Sequence, residues 1–247
     1  MSTGRKNSLG FTFAGTTSAS MGLRVTKLPD VQIAEERGEA VEIPGRDGEL
    51  WLSDNSFKPV THRIEFEIGS NANINAITAW LSGSGNLILS TFPNHYWKAR
   101  IIKGFDLKSG IYVSGYYRTT VEFSCSPFRY QVGDPTLSPI TSAQTFTGSG
   151  TWTAKPIITV NGSGSMNLLV NGATVLLDDI SPSITLDCDA MMAFKGNVNA
   201  SPQVTILSDN DEWPTLLPGT NMINWSNVSG VSGSITSVVI QPNWRWR

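Results

Sequence analysis

One apolar stripe of helical period interrupts a chain otherwise written in short alternating runs. Ile74, Ile77, Trp80 and Leu81 fall at i, i+3, i+6 and i+7, which places them on one face of a helix over about 73–82, and Gly83 stops it. Every other patterned segment of the first half has the period of two that belongs to strands. Phe11–Phe13 ends in a turn at Gly15, and Met21–Leu28, Val31–Glu35 and Glu39–Ile43 are further candidates. His62–Gly69 alternates cleanly, with Ile64, Phe66 and Ile68 toward a core and Arg63, Glu65 and Glu67 away from it. Asn86–Leu89, Tyr96–Ile102, Ile111–Tyr117 and Arg118–Ser124 follow, and Cys125-Ser126-Pro127 kinks the chain before Phe128-Arg129-Tyr130. A solitary short helix cannot build a βαβ series. The pattern calls for an antiparallel barrel or sandwich with one helix against it.

Residues 133–150, GDPTLSPITSAQTFTGSG, are rich in Gly, Pro, Ser and Thr and read as a linker, with room for an edge strand. The 247-residue length suits two such domains, here 1–132 and 151–247. The second reads as almost pure β. Pro156–Val160 is a strand ended by Asn161-Gly162, and Leu168–Val170 precedes Asn171-Gly172 and the strand Thr174–Leu177. Asn-Gly between alternating runs is the strongest short hairpin signal. Ser183–Cys188, Ala190–Phe194, Gln203–Leu207, Met222–Trp225 and Ser234–Gln241 complete a set of strands that implies a β-sandwich or jelly roll.

Charge removes several function classes. Charged residues are 15% of the chain, against about 25% in an ordinary soluble domain. The net charge is −2, with no basic stripe to grip a nucleic acid backbone. Low charge density favours self-association. No apolar run approaches the length of a membrane span, and the start MSTGRKNSLGFTF has no signal-peptide character. Cys125 and Cys188 are far apart and read as buried small hydrophobes, and His62 and His95 have no metal-ligand companions. Nucleophile elbows, zinc-protease helices and phosphate loops are absent from the sequence, so no catalytic residue, metal or cofactor is expected. Asp209-Asn210-Asp211-Glu212 reads as a solvated turn rather than a calcium loop, and Asp187 and Asp189 share a polar strand face. Asn161, Asn224 and Asn227 match the glycosylation pattern, which without a secretion signal is taken as chance.

Two features suggest surfaces. In Ile43-Pro44-Gly45-Arg46-Asp47-Gly48-Glu49-Leu50, two turn-forming pairs make a tight β connection with Arg46 and Asp47 at its tip, either a hairpin with a local ion pair or a contact with a neighbouring subunit. Eight tryptophans invite a carbohydrate-binding reading. Trp244 and Trp246 share a strand face opposite Arg245 and Arg247 and read as core or interdomain packing, while Trp51, Trp97 and Trp213 are less constrained.

Taken in order, these segments resemble the siphophage distal tail protein (Dit) family. The resemblance runs through Phe11–Gly15, Pro44–Gly48, Trp80–Leu89, Tyr96–Ala99, Val121–Pro127 and Tyr130. It continues through Pro156–Ile158, Val170–Gly172, Ile184–Asp187, Leu217–Asn221 and Pro242–Trp246. It implies an all-β chain with a ring-forming, barrel-like N-terminal domain and a galectin-like β-sandwich after it. Six copies would ring a channel through which DNA passes without specific binding. One face would meet the major tail protein, and the other a tail-associated lysin or fibre protein, in the virion tail tip after synthesis in the host cytoplasm. Rings could stand back to back. Candidate subunit contacts are Pro44, Gly45, Arg46, Asp47, Gly48, Tyr116 and Arg118, and candidate core or interdomain packing residues are Trp80, Cys125, Pro127, Trp244 and Trp246. A carbohydrate-binding module or a tail tube protein is the alternative.

Overall fold

The computed structural model describes residues 9–69, 72–106, 108–109, 117–133, 136–208 and 212–247, with Lys108, Ser109 and Tyr117 as backbone. The chain is almost all β with one short α-helix among the described residues. It divides into two compact units, residues up to Val132 together with Arg247, and Gly133–Trp246.

The first unit is built from β1 (Phe11–Phe13), β2 (Thr16–Thr17), β3 (Leu23–Lys27), β4 (Glu36–Glu42), β5 (Glu49–Phe57), β6 (Val60–Ile68), α1 (Ile74–Trp80), β7 (Ser84–Leu89), β8 (His95–Ile101), β9 (Lys108–Ser109), β10 (Tyr117–Cys125) and β11 (Arg129–Gln131). A curled, open half-barrel sheet runs β2-β1-β7-β8-β10-β6-β3, with β9 on β10 and β11 on β8. Its spine is the antiparallel pair β6–β10, nine residues in register from Val60↔Cys125 to Ile68↔Tyr117. Ile64, Phe66, Ile68, Val121 and Phe123 point inward and are fully buried. The helix closes over this face. Asn73 caps it, its Oδ1 accepting from the Ala76 amide at 3.1 Å, and Ile77 and Leu81 are buried beneath. Trp80 stacks on Phe11 at 5.5 Å and donates its indole N–H to the Phe13 carbonyl at 2.9 Å, while Phe13 meets Phe123 edge-on at 5.0 Å.

Val31–Glu35 forms no strand. Val31 and Ile33 are both exposed, and among the described residues the segment pairs with no strand that would bury its alternating side chains. The segment leads into β4 and β5, a two-stranded sheet of its own.

The second unit contains β12 (Gln144–Gly148), β13 (Ile157–Val170), β14 (Ala173–Ile180), β15 (Ser183–Asp187), β16 (Met192–Lys195), β17 (Val198–Asn199), β18 (Val204–Ile206), β19 (Gly219–Asn227) and β20 (Gly233–Gln241). Its sheet arrangement is consistent with a β-sandwich. Within 133–150, β12 takes the place of an edge strand on β19, and Ile140 bridges to Val238.

Fourteen residues long, β13 organises this unit. Its first half pairs with β15 and β20, its second with β14 and β19. The pairing shifts register at Asn161/Gly162 and again at Gly164/Met166. These bulges bend one strand so that it serves both sets of partners. Here the structure departs from the sequence expectation. Asn161-Gly162 is not a turn that ends a strand. The glycine answers a close approach instead, since a Cβ at Gly162 would lie 2.1 Å from the Ser234 carbonyl oxygen and one at Gly164 2.2 Å from that of Ser232. Asn161 turns its amide to Ser237 Oγ at 3.0 Å. The second Asn-Gly pair is a turn: Asn171 and Gly172 have φ of 50° and 94° and join β13 to β14 in a two-residue hairpin. Ile158, Val160, Leu168 and Val170 from β13 pack with Leu177, Ile184, Leu186, Ile223 and Ile240 in the core.

Replacement of Gly162 by Ala sets the new methyl against the Ser234 carbonyl oxygen, so the β13–β20 pairing must open. We expect a loss of about 1–3 kcal/mol in urea unfolding. An unchanged midpoint would show that the bulge relaxes freely.

Candidate interaction surface

The loop singled out in the sequence is the tip of the β4–β5 hairpin. Pro44 to Gly48 form the turn, with Gly45 and Gly48 at φ of 83° and 80° and the Arg46 amide donating to the Ile43 carbonyl at 3.1 Å. Arg46 and Asp47 are exposed and form no ion pair among the described residues. The strands behind the tip are exposed as well. Trp51 is 51% and Leu52 53% accessible, and Ile43 stands open too. The Trp51 ring lies across Gly38, where a Cβ would come within 2.5 Å of it. Residues 36–57 hold six acids against Arg37 and Arg46, a net of −4. Glu42 and Glu49 stand directly opposite each other in the ladder, a like-charge pair that costs stability in an isolated hairpin.

The outward face of the half-barrel sheet carries two ion-pair groups. Glu67 is buried between Arg24, which donates through Nε at 2.9 Å and also through its terminal nitrogen, and Arg118, which donates at 2.9 Å. Hydrogen bonds from these two guanidiniums hold its carboxyl below its ordinary pKa. Glu122 receives Arg63 at 2.7 Å and Lys103 at 3.1 Å, and it too is held low. Arg118 is thus engaged within the chain. Tyr116 lies outside the described residues.

A different surface lies where β7, β8 and β10 run side by side. Ser84 pairs with Arg100, which also pairs with Ser124; Asn86 pairs with Lys98, whose carbonyl accepts from the Ser126 amide. These residues, with Pro59 and a floor of Gly85, Ala99 and Cys125, line a groove of about 410 Å³. The lining holds two cations, three serines and an asparagine, and no acid. Lys98 lies over the Tyr130 ring, 4.9 Å from its centre, and neither Lys98 nor Arg100 has an acidic partner among the described residues. The sequence reading missed this groove. Its signal was the alternation Lys98-Ala99-Arg100, which puts both cations on one strand face.

The packing candidates fall as follows. Trp80 and Cys125 belong to the first core, and Pro127 is half-buried after β10. Trp244 is buried in the second core, with Trp246 partly buried against it. Arg245 between them is also buried and donates to Asp189 at 3.0 Å; Lys155 reaches the same carboxylate at 3.3 Å. Asp187 Oδ1 accepts from the amides of Asp189 and Ala190, closing a turn. Residues 209–211 of the acidic stretch lie outside the described residues. Among the described residues no group of three or more His, Cys, Asp or Glu could hold a metal ion.

Neither a family model nor a curated protein matches the sequence. A solved structure does match the fold. SPP1 Dit, described as a paradigm of the hub adsorption apparatus in phages infecting Gram-positive bacteria, superposes with a TM-score of 0.67 over 95% of this chain and 98% of its own. The chain has the Dit fold. Identity is 12%, so the likeness is one of architecture and not of side chains.

Each unit holds a buried polar side chain whose surroundings bear on its stability. His62 faces inward on β6, edge-on to Trp97 at 4.7 Å, with both ring nitrogens buried and unpartnered. Burial lowers its pKa to about 4 from 6.5. A base whose folded pKa lies below its unfolded one resists protonation in the native state, so stability falls as pH drops from about 6.5 to about 4. The loss reaches about 3 kcal/mol. His62→Leu should flatten that part of the stability–pH profile in chemical denaturation. A slope equal to wild type would place the titration elsewhere.

In the second unit Asn221 is fully buried. Its Oδ1 accepts from Asn171 Nδ2 and the Leu217 amide, both at 2.7 Å, and its Nδ2 donates to the carbonyls of Leu217 at 2.9 Å and Gly219 at 3.1 Å. Asn221→Ala strands these partners without solvent and should cost about 3 kcal/mol in unfolding experiments. A cost below about 1 kcal/mol would mean that water replaces the amide.

Proposed function

We propose that this protein is a structural hub of a phage tail tip, of the distal tail protein kind. The observation that carries the reading is the shared fold, which spans 95% of the chain and 98% of SPP1 Dit. The order of motifs in the sequence supports it independently. On this reading the first unit forms a ring of six copies, and the second is a galectin-like sandwich that accompanies it. One face of the ring joins the tail tube, the other carries the fibre or lysin hub, and DNA passes through the centre. The protein acts as a virion component and performs no catalysis.

Ring formation needs a heterologous contact that closes. The β4–β5 hairpin suits that role: it is exposed on both strands, carries Trp51 and Leu52 in the open, and has a rigid turn through Pro44–Gly48. Trp51 and Leu52 are consecutive in β5, so each face of the hairpin offers a neighbour one exposed large apolar side chain.

Mass photometry with negative-stain imaging tests the reading. Six copies of the 26.8 kDa chain make a species of about 161 kDa with a ring projection, or twice that mass for two rings. Trp51→Ala with Leu52→Ser should shift the population toward single copies without lowering thermal stability. A protein that stays a single copy at high concentration, alone and with the adjoining tail proteins, is not a ring hub. Rings that the double substitution leaves intact would move the contact away from the hairpin.

A further inference from the structure

We infer that the β7–β8–β10 groove is a binding site for a slender phosphodiester polymer, one whose phosphates are joined by a short polyol. The inference is independent of the ring reading. It starts from a contrast across one sheet face. Arg24 and Arg118 are held by Glu67, and Arg63 and Lys103 by Glu122, so those cations are neutralised within the chain. Lys98 and Arg100 are exposed on the same face, and neither has an acidic partner among the described residues. Glu122, two positions along β10 from Ser124, lies outside the groove lining and already carries two cations. The Lys98 ammonium rests over the Tyr130 ring, 4.9 Å from its centre, which keeps that charge in place. The side chains of Ser84, Asn86 and Ser124 make no hydrogen bond among the described residues, although their rows set them beside the two cations.

The grouping decides the chemistry of the ligand. Ser84 and Ser124 stand directly across the ladder from Arg100, one on each side, and Asn86 stands across from Lys98. Each cation thus has hydroxyl or amide donors beside it, the mixed set that holds a phosphate through several oxygens at once. Lys98 and Arg100 are two residues apart in β8, so the two sets are centred roughly 7 Å apart. That spacing is comparable to the distance between successive phosphates joined through a three-carbon polyol. Gly85, Ala99 and Cys125 give the groove a floor of small residues, and Pro59 offers an apolar edge to the carbon linker. Among the described residues no aromatic side chain lines the groove, so a nucleic acid base would find nothing to stack on. The net charge of −2 gives the chain no general attraction for nucleic acid either.

The test is fluorescence anisotropy of end-labelled poly(glycerol phosphate) with the full-length chain over a series of salt concentrations. Two neutralised phosphates should give log affinity a slope of about −1.4 against log salt, at ~0.7 for each phosphate of a single-stranded polyanion. Lys98→Gln with Arg100→Gln should lower affinity at least tenfold and flatten that slope. The control is Lys27→Gln with Lys103→Gln, an equal change of charge in the neighbouring groove where the cations stand beside Asp30, Glu65 and Glu122, and it should bind as wild type. All four positions are exposed, and the thermal midpoint of each variant checks that it folds. Arg100→Gln alone, expected to halve the slope, serves if the double variant unfolds. An oligothymidylate and an oligoglutamate of matched charge should each bind at least fivefold more weakly than the polyol phosphate. No binding by wild type, equal binding by the groove variant, or either competitor binding as tightly would overturn the inference. None of these outcomes bears on ring formation, which mass photometry reads separately.

Discussion

Nine consecutive backbone pairs between β6 and β10 hold the first unit in its form. Because side chains alternate across a sheet, this single ladder assigns two duties at once. Its inner residues anchor the aromatic cluster that α1 closes, and its outer residues set Glu67 between two arginines and Glu122 between Arg63 and Lys103. The same ladder ends at Val60↔Cys125, next to the root of the hairpin and the floor of the cationic groove. A slip of one residue would turn the ion pairs into the core and the phenylalanines into water. The surfaces argued to assemble and to bind are therefore fixed by a register that the core enforces.

Much of this was legible before any coordinates. The period of two in His62–Ile68 and the helical stripe at Ile74–Leu81 each had a burial requirement that admitted one local structure, and Asn171-Gly172 lay between runs that needed a two-residue turn. What failed to show was chemistry that depends on a neighbour distant in sequence. Asn161-Gly162 reads like a turn because turns and close backbone approaches select the same residues, and the distinction lies at Ser234, more than seventy positions away. Val31–Glu35 alternates like a strand but finds no partner among the described residues. Arg245 alternates with two tryptophans and looks solvent-facing, yet Asp189 draws it inward.

The surface residues show the same division. Pro44–Gly48 announce a turn by composition. The meaning of Lys98 and Arg100 depends on the rows beside them, which supply hydroxyls and no carboxylate, whereas Arg63, on the neighbouring outward face, has Glu122 opposite it. Similar cations in similar strands differ by their cross-strand partners, and a single sequence does not display those.

The hairpin sheet has a consequence for how such a chain can change. Among the described residues β4 and β5 pair with each other and with no further strand, and a lone two-stranded sheet contributes little to holding a fold together. Its side chains are thus released from the demands of the interior. Folding and assembly become separately adjustable, and a lineage could retune its assembly partner at β4 and β5 while the barrel beneath stays as it was.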